Sequence, residues 1–352
     1  MTRVALVGCG HIAAAHLAAW KKATNSHVAV LFDVSRELAE KRSKEFGVAR
    51  IASSLEEALA LADVVDVCTP PHTHADIAGK VLKAGRHLLI EKPVVTAVKD
   101  WEAVRAVAGD RTIGVVHNLK FTHAVRQAKQ WVDEGRIGAV LRINRLFLTN
   151  PDGDRMLVDP APGAREHWSH SLPGGRWFET LPHELYITHM FAGPLPVASV
   201  TALHTSAAIA GAPADEVCVV LAGGRCISTF HYSASSKENR RSVEIFGTDG
   251  KIEIDVLSDT ATLAAARDGR VLRAVGVKNV ETGERLLQAI PDRAEYLLRR
   301  AQKETPHATL IRAFDHHLAG EGPSPTPLDE VDYVIRTGDV IGRKIDAAVG
   351  RT

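Results

Sequence analysis

The first thirteen residues, MTRVALVGCGHIA, constrain the fold more than any other stretch. Arg3–Val7 is a short apolar run with strand character, and residues from His11 to Ala23 favour a helix. Between them lies Gly8-Cys9-Gly10-His11-Ile12-Ala13, a G-x-G-x-x-A pattern. Gly8 permits a tight turn, Gly10 lets backbone approach a pyrophosphate, and small Ala13 lets the helix pack close to the strand. The helix N-terminus then offers free N–H groups and a positive dipole end to phosphate. Such a motif says little alone, but here a strand precedes it and a helix follows.

The alternation continues. Strands are predicted at Val28–Phe32, Ala49–Ala52, Val64–Cys68, His87–Ile90 and Thr112–Val116. Between them come helices at Ser35–Phe46 (capped by Ser35), after Ser54, from about Thr73 to Ala84, and at Ala97–Ala108. Glu57 stands three residues after Ser54, as in a capping box, and Gly85 is placed to end its helix. Strands alternating with helices predict a mostly parallel sheet covered on both faces, within a dinucleotide-binding domain over residues 1–120. Asp33 ends the second strand 23 positions after Gly10, near the spacing of about 20 for the acid that holds the ribose hydroxyls. A carboxylate there favours NAD over NADP. Arg36, one turn into the next helix, is the residue that would accept a 2′-phosphate instead.

Ligands of such sheets bind outside the carboxyl ends of the strands. Those ends read Thr69-Pro70-Pro71-His72-Thr73-His74, then Glu91-Lys92-Pro93, then His117-Asn118. The candidate cofactor contacts are therefore Gly8, Gly10, His11, Ile12 and Asp33, joined by Thr69, Pro70, His74, Glu91, Lys92 and Asn118. His72 and His74 have metal-like spacing but no third ligand nearby, so no metal is expected.

From about Phe121 the pattern changes. A helix at Ala124–Glu134 leads into β-type runs at Val140–Thr149, Ala198–Thr205, Val217–Leu221, Arg225–Tyr232, Arg241–Phe246 and Lys251–Val256. Gly223-Gly224 and Gly247-Thr248-Asp249-Gly250 mark hairpins. These predict an α+β domain over residues 121–352 with a large, mostly antiparallel open sheet. One face is covered by helices, including part of Leu172–Phe191, and the other is available for self-association as a homodimer or homotetramer. Residues 150–176 are long for a connection and rich in Gly, Pro, Asp, Arg and His, as functional loops are. Helices are expected again at Ala294–Gln302, Ala308–Leu318 and Leu328–Ala348. Pro182 suits the first turn of a helix, which puts His183 near a helix start, with Glu179 four residues earlier.

Composition excludes several partners. The net charge is +1 over 352 residues, which gives no electrostatic case for nucleic acid or an anionic membrane. No apolar stretch approaches the roughly 20 residues of a membrane span. The N-terminus runs straight into a strand without a signal-peptide pattern. Cys9, Cys68, Cys218 and Cys226 are scattered and read as buried free thiols in a reducing cytoplasm.

Taken together, GCGHIAAAH (8–16), TPPHTHAD (69–76), EKPV (91–94), HNLKF (117–121), GGRWFETLPH (174–183) and PTPLDE (325–330) resemble the Gfo/Idh/MocA oxidoreductases. That family is named for glucose–fructose oxidoreductase and inositol dehydrogenase. The resemblance covers nearly the whole chain, and EKP is its most specific short signature. It implies a Rossmann domain, an α+β domain with an open sheet, and NAD(P)-dependent transfer of hydride to or from a secondary carbinol of a sugar or cyclitol. It implies that Lys92 bonds the reacting oxygen, that His183 transfers the proton, that the acidic residue four before it is Glu179, and that Lys92-Pro93 is cis. The chain departs from the family pattern at Glu179 (usually Asp), Tyr186 (often Asp), Lys120 (often Arg) and His123 (often Pro). The substrate set is thus expected to differ from that of inositol dehydrogenase. Trp168, Arg176, Glu179, His183 and Tyr186, with Lys92, are the candidate substrate contacts. Arg and Trp in the long loop leave a phosphorylated or nucleotide-linked sugar open beside a neutral one. A sugar–sugar oxidoreductase that never releases its cofactor and a non-catalytic NAD-binding regulator are the alternatives on the same fold; a regulator need not keep both Lys92 and His183, so their joint presence favours an enzyme.

Overall fold

The computed structural model describes residues 1–150, 168–205, 213–265 and 305–351. The chain forms two compact units, Met1–Phe121 with Glu304–Arg336, and Thr122–Lys303 with Thr337–Thr352.

The first unit runs β1 (Thr2–Val7), α1 (Ala13–Trp20), β2 (Ser26–Phe32), α2 (Arg36–Phe46), α3 (Leu55–Leu61), β3 (Val64–Val67), α4 (His74–Lys83), β4 (His87–Ile90), α5 (Val98–Ala106) and β5 (Ile113–Val115). The strands form one sheet in the order β2-β1-β3-β4-β5, with every pairing parallel. Continuous apolar runs are needed because both faces are covered. Val4, Ala5, Leu6, Val64, Val65, Leu88 and Leu89 are all fully buried. The expected caps form. Ser35 accepts from the N–H of Leu38 and Ser54 from that of Glu57. The Glu57 carboxylate reaches back to Ser53 N–H at 2.8 Å. Gly85 follows α4 with φ +71°.

Two expectations are corrected here. Ala49–Ala52 is no strand: it makes one bridge, Leu31 to Ile51, because Ser53-Ser54 turns the chain into α3 directly afterwards. The sheet therefore has five strands rather than six. Residues from 304 to 336, assigned by the sequence to the second domain, belong to the first unit. Helix α8 (Pro306–Leu318) packs Leu310, Ile311 and Phe314 with Val4, Trp20 and Leu89. Phe314 lies where a side chain at Gly114 would be, within 2.5 Å of an added Cβ. Asp315 on α8 accepts the N–H groups of Thr24 and Asn25 at 3.0 and 2.9 Å. Thr326 Oγ1 accepts Val115 N–H at 3.0 Å, which ties the PTP segment to edge strand β5.

The second unit contains α6 (His123–Asp133), β6 (Val140–Leu148), α7 (Trp177–Ala192), β7 (Val197–Leu203), β8 (Glu216–Gly223), β9 (Cys226–Ser233), β10 (Arg240–Gly247), β11 (Gly250–Asp255) and β12 (Thr260–Ala265). The order is β12-β11-β10-β6-β9-β8-β7. All neighbours are antiparallel except β6 and β9, which pair in parallel from Arg142–Ile227 to Leu148–Ser233. Both predicted hairpins are present, and β12 is an addition. Val217, Val219, Leu221, Phe230, Tyr232, Val243, Ile245, Ile252 and Ile254 are buried at alternate positions, the period expected of a sheet covered on one face. Helix α6 lies against β11 and β12, and α7 against β6 and β9.

Helix α9 (Leu328–Ala348) begins in the first unit and continues into the second. In the second unit, a Cβ on Gly342 would lie 2.9 Å from Pro173 and 3.1 Å from Phe178. That glycine lets α7 approach closely. The expected helix at Ala294–Gln302 lies outside the described residues. No helix among the described residues is long and apolar enough to cross a membrane.

Candidate active site

The dinucleotide turn is built as its residues dictate. Gly8 has φ +92°, and an added Cβ would sit 2.8 Å from both the Cys68 backbone and Thr69 Cγ2. No side chain fits there. A Cβ on Gly10 would meet nothing within 4 Å, so this peptide borders open space. Helix α1 starts with no side-chain cap on its N–H groups and no acid in its first turn. That leaves its positive end for an anion. Asp33 holds the turn from the other side, accepting Cys9 N–H at 2.6 Å and Ser35 N–H at 2.7 Å. Its two oxygens keep lone pairs for further donors. Arg42 on α2, which sequence reading passed over, donates to the carbonyls of Cys9 and Gly10 at 3.3 and 2.8 Å. His11 is exposed and Ile12 half-buried at the mouth of this turn.

The later strand ends are tied together by buried groups. His74 is 0% exposed, its ring nitrogens 2.8 Å from the Pro93 carbonyl and 2.7 Å from that of Thr69. Burial pushes its pKa below the ordinary value. His74 thus joins the Thr69-Pro70 turn to the Glu91-Lys92-Pro93 turn. The Lys92-Pro93 bond is cis. The Glu91 carboxylate is buried, and its Oε2 accepts Lys92 N–H at 3.0 Å. Lys92 itself is half-buried. At the end of β5, His117 Nδ1 donates to Glu330 Oε1 at 2.7 Å, while Lys120 Nζ donates to Glu330 Oε2 at 2.6 Å. Burial keeps the His117 ring below its ordinary pKa despite that carboxylate. Asn118 bonds His307 at 3.3 Å. Its Oδ1 is a buried acceptor with no partner among the described residues. Open space at Gly10, an uncapped helix start, an acid at the end of β2 and an orphaned acceptor at Asn118 together fit a dinucleotide.

In the second unit, α7 is one continuous helix from Trp177, with Pro182 inside it. The reading that placed His183 near a helix start is corrected: His183 lies in the second turn. Pro182 only forgoes the bond to Phe178. Through the first twelve residues of this helix, Glu179 and His183 are the two that are not buried. They stand four apart, on one face. Glu179 pairs with Arg176 at 3.0 Å, and Arg176 is only 4% exposed. His183 Nδ1 lies 2.5 Å from the hydroxyl of fully buried Tyr186. The helix is pinned to the sheet by the buried Arg145–Glu184 pair and by Thr188 and Ser228, whose hydroxyls are 3.1 Å apart. Trp168 opens a short 3-10 turn; Arg155 and Arg165 of the long loop lie outside the described residues. The four cysteines are free. Burial pushes the Cys9 and Cys68 thiols up to about 12.

A family profile described as "Oxidoreductase family, NAD-binding Rossmann fold" matches residues 2–116. The family's C-terminal domain profile matches residues 125–253. The chain belongs to the Gfo/Idh/MocA family of oxidoreductases. Its cofactor class is accordingly NAD.

Among named members, the chain is 26% identical to a UDP-N-acetylglucosamine 3-dehydrogenase from Acidithiobacillus ferrooxidans, over 79% of this chain and 81% of that protein. It is 30% identical to levoglucosan dehydrogenase from Pseudarthrobacter phenanthrenivorans, over 43% of this chain and 42% of that protein. A solved structure of the WlbA dehydrogenase from Bordetella pertussis, in complex with NADH and UDP-GlcNAcA, superposes with a TM-score of 0.77. It shares 19% identity, over 98% of this chain and 96% of that one, a likeness of fold. Named relatives of this Gfo/Idh/MocA oxidoreductase include sugar and cyclitol dehydrogenases or reductases.

Proposed function

We propose that this protein transfers a hydride between NAD and a secondary carbinol or ketone of a sugar or cyclitol, using Lys92 and His183. The observation that carries this reading is α7, where a buried helix leaves one stripe, Glu179 and His183, uncovered. A carbinol carbon releases hydride only as its hydroxyl loses a proton, and histidine is the natural base for that step near neutral pH. In the tautomer whose Nδ1–H donates to the Tyr186 hydroxyl, the lone pair a base needs is on His183 Nε2. Tyr186 thus fills the place where the family often has Asp by fixing the ring. The Lys92 ammonium supplies the positive charge that stabilises an alkoxide-like oxygen. Glu179, fixed by Arg176, accepts from a neighbouring substrate hydroxyl.

Gly8, Gly10, His11 and Ile12 with the start of α1 hold the pyrophosphate, and Asp33 the adenosine ribose, which favours NAD over NADP. Thr69, Pro70, His74, Glu91 and Asn118 shape the nicotinamide side. When bound, NAD supplies the hydride acceptor or donor. Arg176 is spent on Glu179, which supports a neutral sugar over a phosphorylated or nucleotide-linked one. Self-association through the outer face of the second sheet, in the cytoplasm, belongs to the same reading. Leu203 and Ile227 stand there 54% and 44% exposed.

The test is a panel of myo-inositol, levoglucosan, D-glucose and UDP-N-acetylglucosamine, with NADH formation as readout. On whichever member turns over, Lys92→Ala and His183→Ala each lower kcat about 10²-fold or more, and His183→Ala leaves NAD binding within about twofold. Turnover within about tenfold of the parent in either variant refutes the assignment.

A further inference from the structure

Helix α1 buries a histidine for which proton and hydride transfer have no use. His16 is 0% exposed. Its Nδ1 faces both oxygens of Asp66 at 3.0 and 2.8 Å, and its Nε2 faces Glu91 Oε1 at 3.0 Å. An ionised carboxylate has no proton to give, so both ring nitrogens must donate. With both carboxylates ionised, His16 is an imidazolium held between them. Trp20 Nε1 donates to Asp66 Oδ2 at 2.7 Å and fixes the far end. The other titratable groups around it are Cys68, 3.8 Å from Asp66 Oδ1, His307, with ring centroids 5.6 Å apart, and Lys92 beyond Glu91.

Burial works against charge on His16, yet Asp66 holds its pKa well above the ordinary value. Burial would likewise raise Glu91, but the His16 hydrogen bond and charge keep it lowered. His307, buried beside that cation, is pushed down to about 4. Donor atoms of His16, Glu91 and His307 lie within 4.8 Å of one another, as do those of His16, Asp66 and Cys68. A metal at either cluster would have to displace a His16 ring proton.

We propose that the Asp66–His16–Glu91 chain is a positioning device for Lys92. His16 holds Glu91 so that its second oxygen receives Lys92 N–H, and this sets the turn from which the lysine side chain projects. His16 is a positioning residue, and only the catalytic consequence rests on the role given to Lys92 above. Nothing local in the sequence marks this device, since the partners of His16 lie 50 and 75 residues away.

The test needs no substrate. In the full-length protein with ¹⁵N-labelled histidine, one ring with both nitrogens protonated at neutral pH is expected, and it disappears in His16→Gln. Hydrogen exchange at the Lys92 amide should quicken about tenfold in that variant, while the Val64–Val67 amides change less than about twofold. An unchanged Lys92 amide overturns the proposal. So does equal loss across the strands, which is the mark of a merely structural histidine. Stoichiometric zinc in the purified parent, absent from His16→Gln, also overturns it. If His16→Gln does not fold, Glu91→Gln keeps the shape but leaves His16 Nε2 and the Lys92 amide one carbonyl oxygen to share; exchange at the Lys92 amide should then quicken about tenfold, and an unchanged rate refutes the proposal. A panel without turnover sinks the enzymatic reading but leaves the exchange result standing.

Discussion

Removing the charge from Arg145 alone should be far worse than removing both charges of its pair. Arg145 points inward from β6, beside Phe230 of β9 and Val243 of β10, which are 1% and 0% exposed. Its side chain and that of Glu184 are 6% and 4% exposed. The guanidinium reaches Glu184 through Nε and through Nη2 at 3.1 Å, but Nη1 has no partner among the described residues. Arg145→Met strands the Glu184 carboxylate in an apolar layer at a cost of about 3–5 kcal/mol. For a unit of this size that corresponds to about 6–20 °C in Tm. The double variant Arg145→Met/Glu184→Met should recover most of the loss or gain about 1–4 kcal/mol over the parent, because neither ion then has to be desolvated. Urea unfolding of the four proteins, followed by circular dichroism, closes the cycle. If the single change costs under about 1 kcal/mol, or if the two changes simply add, the pair is not what holds α7 to the sheet.

Gly8→Ala should abolish measurable NAD binding. A Cβ there meets the Cys68 backbone at 2.8 Å, and an L residue at this φ adds about 1–2 kcal/mol of strain; titration with NADH checks it, and a near-parental affinity refutes it. His307 carries a pH signature. Its folded pKa of about 4 lies below the unfolded value of about 6.5, so the unfolded state binds the extra proton between them. Stability is full above about pH 6.5 and is lost as pH falls toward 4. Between pH 7.5 and 5 the parent should lose about 2 kcal/mol relative to His307→Gln in urea titrations; parallel curves would refute this.

What the sequence showed was local. The glycine turn, the caps at Ser35 and Ser54 and the apolar strands of the first sheet each carry their cause within a few residues. What it hid depends on distant partners. Ile51 sits in an apolar stretch, yet Ser53-Ser54 allows it one bridge. Thr260–Ala265 is built from small residues with weak strand character and becomes a strand by pairing with β11. Pro182 argued for a helix start, but the burial of Trp177 and Phe178 carries the helix through it. The most specific catalytic signature, EKP, was legible. The histidine that braces its glutamate was not, because His16 lies in an alanine-rich helix that gives no sign of its two carboxylates.

The parallel pairing of β6 and β9 also sets a schedule for synthesis. Among the described strands β6 pairs with β9 and β10; the earlier of these, β9, follows it by 85 positions, as Arg142 and Ile227 show. At about 5–20 residues per second, the ribosome leaves β6 with two open edges for about 4–17 s. A nine-residue strand carrying Val140, Leu141, Ile143, Leu146, Phe147 and Leu148 is an aggregation hazard during that wait. Arg142 and Arg145 interrupt it, and an inward-pointing charge is one of the devices that keep an unpaired strand from finding the wrong neighbour. The arginine that later anchors α7 thus first serves as a gatekeeper on the nascent chain.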